Sequence, residues 1–272
     1  MTKTDTVPSA IAGGVTGGAM TRFAQMPVFW RLLSLALFFG AWELAGQSNF
    51  NAAFPTFTET FAAFVEMVLD GSMGAAYLRT IEPLIVGLAF SLGVGVAAGV
   101  AMGLRRDVEF LTLPIFITMQ AAPMAALIPL ITFVYGVGLA SKVLAVVFLA
   151  MPVITINSYK AVRNVPGSLL DMTRSFMGSR WQQITRIILP AASPMMFAGI
   201  RLGVAEGFSG VVLAELLITP TGIGDLITYH RSVANFGHMY ATIVSIVAFA
   251  VIAVSLLYHL ETKLFRPEKR GQ

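Results

Sequence analysis

The chain has 272 residues, of which 56% are hydrophobic and only 12% charged, with a formal net charge of +4. So few charges cannot give a soluble domain of this length a polar surface, and a mean hydropathy of +0.78 sets the chain among membrane proteins. The lack of cysteine excludes disulfides, thiolate metal sites and a cysteine nucleophile. The basic residues gather at the edges of apolar runs, which is an orientation signal and not a nucleic-acid patch.

Residues 1–26, rich in Thr, Gly and Ala, read as a flexible cytoplasmic tail without the charged-then-apolar pattern of a signal peptide. A span needs about 20 apolar residues to cross about 30 Å of hydrocarbon, and six stretches qualify. The first is 28–46, with Trp30 and Trp42 as interfacial aromatics. Residues 57–70 then place Phe57, Phe61, Phe64, Val65 and Val68 at helical spacing beside Glu59, Glu66 and Asp70. That pattern predicts a short amphipathic helix lying on the membrane surface.

The second span, 84–104, has no charge and stops at Arg105-Arg106; the third, 110–135, is uncharged but contains Pro114, Pro123 and Pro129. The fourth is 143–159 with Pro152 inside, and the fifth runs from about 190 to 213 with Arg201 and Glu206. The sixth, 239–260, is clean until Glu261, Lys263 and Arg266, and 266–272 forms a short tail. With the N-terminus inside, Arg105, Arg106, Lys160, Arg163, Arg174, Arg180, Arg186 and Lys263 fall on the cytoplasmic side, against Arg79, Lys142 and Arg231 opposite. The expected fold is all-α and integral to the membrane, with six transmembrane helices in one permease domain over 27–265 and both termini cytoplasmic.

Three features carry mechanism. Ser91, Gly95, Gly99 and Gly103 repeat every fourth residue and give the second span a smooth face, either for close helix packing or to line a moving interface. In the third span Pro123 and Pro129 bracket Met124 near mid-membrane, where a freed carbonyl must face protein or water. The cytoplasmic loop 160–189 contains a basic island: after Pro166-Gly167 a short helix carries Leu169, Leu170, Met172, Thr173, Phe176 and Met177 on one broad face, with Asp171, Arg174 and Arg180 elsewhere and Trp181 at re-entry.

The island resembles the cytoplasmic signature of binding-protein-dependent ABC importer permeases: Glu-Ala-Ala, three residues, Gly, nine residues, Ile, one residue, Leu-Pro. Asp171, Met172 and Thr173 stand at the Glu-Ala-Ala positions, Met177 at the Gly, and Ile187, Leu189 and Pro190 at the end. The runs Ser179-Arg180-Trp181-Gln182, Ala198-Gly199-Ile200-Arg201-Leu202, Ala214-Glu215 and Gly222-Ile223-Gly224 are similar to the nitrate/sulfonate/taurine/bicarbonate branch. Met177 replaces the signature glycine, so either Gly178 supplies the turn one residue late or the methionine suits a particular partner.

The resemblance implies a type I importer permease of the MetI-like fold in the bacterial inner membrane. Residues 171–182 would form a coupling helix, with Asp171, Met172, Thr173, Arg174, Phe176, Met177, Gly178, Ser179, Arg180 and Trp181 contacting a cytoplasmic ATP-binding subunit. No phosphate-binding loop is present in the sequence, so ATP and Mg would belong to that partner and no cofactor to this chain. A second permease copy, giving a homodimer, would complete the pathway. A soluble binding protein would deliver a small polar or anionic solute (a sulfonate, taurine, nitrate or bicarbonate) to the outer loops 48–78, 135–142 and 213–240.

Pro123, Met124, Arg201, Glu206 and Glu215 are the candidates for the passage or its gate. Ionisable groups at such depth are paired or face water. Arg201 has an internal ion pair as one reading, with Glu43 or Glu82 as partner, while Glu215 with the Gly222–Gly224 turn shapes the outer gate. His230, His238 and His259 lack metal-ligand spacing. No arrangement for catalysis stands out, but an integral-membrane enzyme and a secondary transporter remain as rival classes.

Overall fold

The computed structural model describes residues 27–48, 51–218 and 220–265, and no strand occurs among them. The expected tails, 1–26 and 266–272, therefore lie outside the described residues. The chain divides into two compact units, one up to Thr58 and one from Glu59 onward.

In the first unit α1 (Pro27–Gln47) covers the residues of the first expected span, but it is not one of the helices long and apolar enough to cross a membrane among the described residues. Its end is tied to the following turn. The Glu43 carboxylate accepts from the Thr58 amide and hydroxyl, both at 3.0 Å, and the Trp42 indole donates to the Pro55 carbonyl at 3.1 Å.

The next helices are α2 (Phe57–Leu69), α3 (Ser72–Leu104), α4 (Arg106–Ala121), α5 (Met124–Tyr135) and α6 (Leu139–Arg163). After them come α7 (Gly167–Ser175), α8 (Arg180–Leu217), α9 (Ile223–Ser232) and α10 (Phe236–Phe265). Among the described residues α3, α6, α8 and α10 are long and apolar enough to cross a membrane, and α4 with α5 would make a fifth crossing.

Helix α6 is the centre of the larger unit, and two glycine faces hold it. From α3, a Cβ on Gly99 would stand 2.5 Å from the Thr155 carbonyl, and one on Gly103 2.5 Å from Val162. From α8, Gly199 presses on Asn157 and Gly203 on Ile154, while a Cβ on Gly210 would stand 2.7 Å from the Ala145 carbonyl. The small-residue stripe of the second span is thus a packing face: Ser91, Gly95 and Gly99 are buried. Its counterpart on α8, Gly199, Gly203 and Gly207, has the same four-residue spacing. Helices in lipid gain nothing from apolar burial against each other, so close backbone approach through small residues supplies the attraction.

Three expectations change. The third span is not one kinked helix: α4 and α5 meet at 100°. Pro123 disfavours the helical region for the residue before it, and Ala122 is extended at φ −68°, ψ 133°. The helix that holds the fifth span begins at Arg180, ten residues before the expected start near Pro190, because Ser179 caps it and a wide π turn over Gln183–Ile188 carries the helix into Pro190. The amphipathic helix α2 does more than lie on a surface, since Ala63 and Met67 enter the main core with Met73, Val146, Phe208, Val211 and Ala241.

The glycine contacts give a direct test. Gly99→Ala places a methyl against backbone and should cost about 1–3 kcal/mol, whereas Gly93→Ala, whose new methyl meets nothing within 4 Å, should be neutral or gain up to about 1 kcal/mol. Thermal unfolding of both variants in one detergent should therefore shift in opposite directions or separate clearly.

Candidate functional site

The segment between α6 and α8 is built from local capping. At the end of α7 the Met177 amide donates to the Arg174 carbonyl at 2.9 Å and the Gly178 amide to the Thr173 carbonyl at 3.0 Å, the paired bonds of a Schellman turn. Such a turn needs one left-handed residue, and it is Met177, at φ 53°. The turn therefore stays at the position of the signature glycine and does not move to Gly178. Gly178 is needed for a different reason: a Cβ there would stand 2.8 Å from the Thr173 side chain.

One residue later a capping box starts α8. The Gln182 amide donates to Ser179 Oγ at 3.3 Å, and the Ser179 amide donates to Gln182 Oε1 at 2.8 Å. Two helices are thereby joined rigidly through Phe176–Ser179.

The expected single broad face of α7 is split. Leu170 turns inward, packed with Ile184 against Ala161, Val162, Ile188 and Ala192, and Thr173 bonds back to the Leu169 carbonyl at 2.9 Å. Met172, Phe176, Met177 and Trp181 point out, with Phe176 80% and Met177 93% exposed. Asp171 and Arg174 pair at 3.2 Å at the edge of this patch, both well exposed, and Arg180 is exposed beside Trp181. These four large apolar side chains, set around the two caps, are all exposed.

Within the membrane segments the charged candidates separate. Glu215 is fully buried and is joined to Lys142 at 2.9 Å. It also takes the Thr80 hydroxyl at 3.0 Å and the Gly224 amide at 3.0 Å. Lys142 Nζ further donates to the Thr221 carbonyl and hydroxyl, each at 3.0 Å, and Thr80 Oγ1 accepts from the Ile223 amide at 2.9 Å. This network locks α3, α6, α8 and α9 together. Gly222, at φ 98°, lies so close to the Glu215 carboxylate that no side chain fits. Lys142, expected in an outer loop, is instead a buried residue of α6; an apolar flank hid it.

Arg201 pairs with Glu261 at 3.4 Å and lies 5.1 Å over the Tyr258 ring. The expected partners Glu43 and Glu82 are thus replaced by one from α10, a helix too distant in sequence for spacing to reveal. Pro123 and Met124 stand at the α4–α5 break. Ala122 and Met124 line a cavity of about 240 Å³ with Met119, Gln120, Leu149 and Glu206. Glu206 is exposed to it.

The ring of His230, in α9, lies 5.0 Å from that of His238, in the first turn of α10, and His238 meets Glu66 at 3.4 Å, a grouping the sequence spacing did not reveal. Burial first, then the charge of His238, lowers the pKa of His230 from its ordinary value.

A family model described as "Binding-protein-dependent transport system inner membrane component" matches residues 90–270. A Bacillus subtilis protein named as an aliphatic sulfonates transport permease, SsuC, is 27% identical over 237 residues, 86% of each chain. The Escherichia coli taurine transport system permease protein TauC is 28% identical over 207 residues, 76% of this chain and 71% of that one. Among solved structures, an inward-facing MetNI methionine ABC transporter chain aligns with TM-score 0.58 at 17% identity, covering 71% of this chain and 94% of that chain.

Two results test the geometry. Removing one partner of a buried ion pair costs about 3–5 kcal/mol, so Lys142→Met should lower the unfolding temperature strongly. Adding Glu215→Gln to it should restore part of the loss, because the orphaned charge is then gone. Met177→Gly should relieve about 1 kcal/mol of left-handed strain and slow hydrogen exchange at the Gly178 amide about fivefold.

Proposed function

Since this chain belongs to the family of binding-protein-dependent transport system inner-membrane components, we propose that it docks a cytoplasmic ATPase through the 171–181 segment and passes a small polar solute between its helices. Family and fold make it a multi-pass ABC importer permease subunit, a transport subunit rather than an enzyme.

The observation that carries the docking reading is the outward cluster of Met172, Phe176, Met177 and Trp181. It sits at the position of the family signature and on a turn stiffened at both ends. Asp171, Thr173, Arg174, Gly178, Ser179 and Arg180 shape and border it. ATP and Mg would be held by that partner, and closure of two ATPase subunits would be transmitted through the rigid α7–α8 corner into α8. The exposed charges Arg174, Arg180 and Arg186 favour a cytoplasmic location for this corner. The same rule puts both termini inside when α1 and the broken α4–α5 pair count as spans, six in all.

The cavity at the α4–α5 break supports a passage through this side of the molecule, completed by a second copy and fed by an extracytoplasmic binding protein. The names of the two relatives, for aliphatic sulfonates and for taurine, support a sulfonate-type solute.

Phe176→Asp or Met177→Asp puts a charge into the docking patch. Either should abolish stimulation of the partner's ATP hydrolysis in proteoliposomes while leaving the permease folded by gel filtration. Unchanged stimulation in both would overturn the docking reading.

A further inference from the structure

The passage reading leaves one group unexplained. The ionisable residues deep in α6 and α8 are matched: Lys142 with Glu215 and Arg201 with Glu261. Glu206 is different. It lies well inside α8, has no ion-pair partner among the described residues, and borders the cavity at the α4–α5 break. The Gln120 side chain borders the same cavity and is likewise exposed. The remaining wall is apolar, from Met119, Met124, Phe148, Leu149 and Val153. An acid at this depth that is not paired within the chain faces a polar cavity or the protein interior and not lipid, because hydrocarbon would not tolerate it.

We propose that Glu206, with the Gln120 amide in the same cavity, forms a cation-selecting station in the passage, so that the solute carried bears a protonated amine and is not a bare anion. This rests on the importer reading and narrows its solute class. A carboxylate in a low-dielectric wall attracts an ammonium group and repels a sulfonate more strongly than it would in open water. Among sulfonates, an aminosulfonate satisfies the station and an alkanesulfonate does not. Gln120 can accept from the same ammonium group through its carbonyl, or donate to the rest of the solute through its amide.

The chain contains no cysteine, so Ala122→Cys introduces a single thiol into the cavity wall. In purified permease that thiol should react with both a trimethylammonium and a sulfonate methanethiosulfonate. The ratio of cationic to anionic rates should fall about tenfold when Glu206→Gln is added. Taurine should slow labelling by a neutral reagent more than ethanesulfonate does while Glu206 is intact, and that difference should vanish in Glu206→Gln. A ratio unchanged by Glu206→Gln, or a thiol that reacts only after denaturation, would overturn the station. Equal protection by taurine and ethanesulfonate, or none by either, would overturn the solute class without requiring the Gln variant to fold. Labelling needs neither ATPase nor binding protein, so a negative result leaves the importer reading to be judged separately, by co-purification with the ATPase.

Discussion

The close contact of α6 with two glycine faces is the constraint on which the larger unit depends. In lipid, apolar side chains gain little by leaving one hydrocarbon surface for another, so helices hold together where backbones come near. Gly99 and Gly103 on one side and Gly199, Gly203 and Gly210 on the other bring α3 and α8 against α6 at distances that no side chain allows. Once that sandwich is set, the depths of all three helices are fixed relative to each other. Lys142 on α6 then finds Glu215 on α8 and, through it, Thr80 on α3. The buried charge is tolerated because the packing makes its partners inescapable, and the network extends the lock to α9 through Ile223 and Gly224.

The same sandwich places the two regions of functional interest at its margins. At one end α6 and α8 leave the core and are joined by α7, the left-handed Met177 and the Ser179 cap. Because each of these joints is hydrogen-bonded, a push on the exposed Phe176–Trp181 patch has no loose loop in which to dissipate. On the flank, α4 and α5 fail to continue as one helix at Ala122–Pro123 and leave the cavity bordered by Glu206. One helix, α8, runs from the first region to the second. On the proposed mechanism it is the element that links ATPase movement to the passage.

Much of this was legible in the sequence, and the reasons it was or was not are specific. The spacing from Asp171 to Pro190 marked out the α7–α8 corner because it is a local pattern, and the Ser91–Gly103 repeat announced its packing face for the same reason. The α8 repeat at Gly199, Gly203 and Gly207 is an equally local pattern, set among the more conspicuous Arg201 and Glu206. The turn at Met177 ran against the preference of glycine for positive φ, so residue type pointed to Gly178 while the hydrogen-bond pattern chose the earlier position. Lys142 with Glu215 and Arg201 with Glu261 join residues 60 or more positions apart in different helices. No periodicity within one helix can signal such pairs.

The central claim is that the corner formed by α7 and the start of α8 is where this permease receives the work of ATP hydrolysis. Hydrogen exchange of the permease with and without its ATPase in one detergent tests it most directly. Slowed exchange is expected, confined to peptides spanning residues 167–182 and deepening when a non-hydrolysable nucleotide closes the ATPase. Unchanged exchange there, with protection on another surface of a demonstrably formed complex, would contradict it.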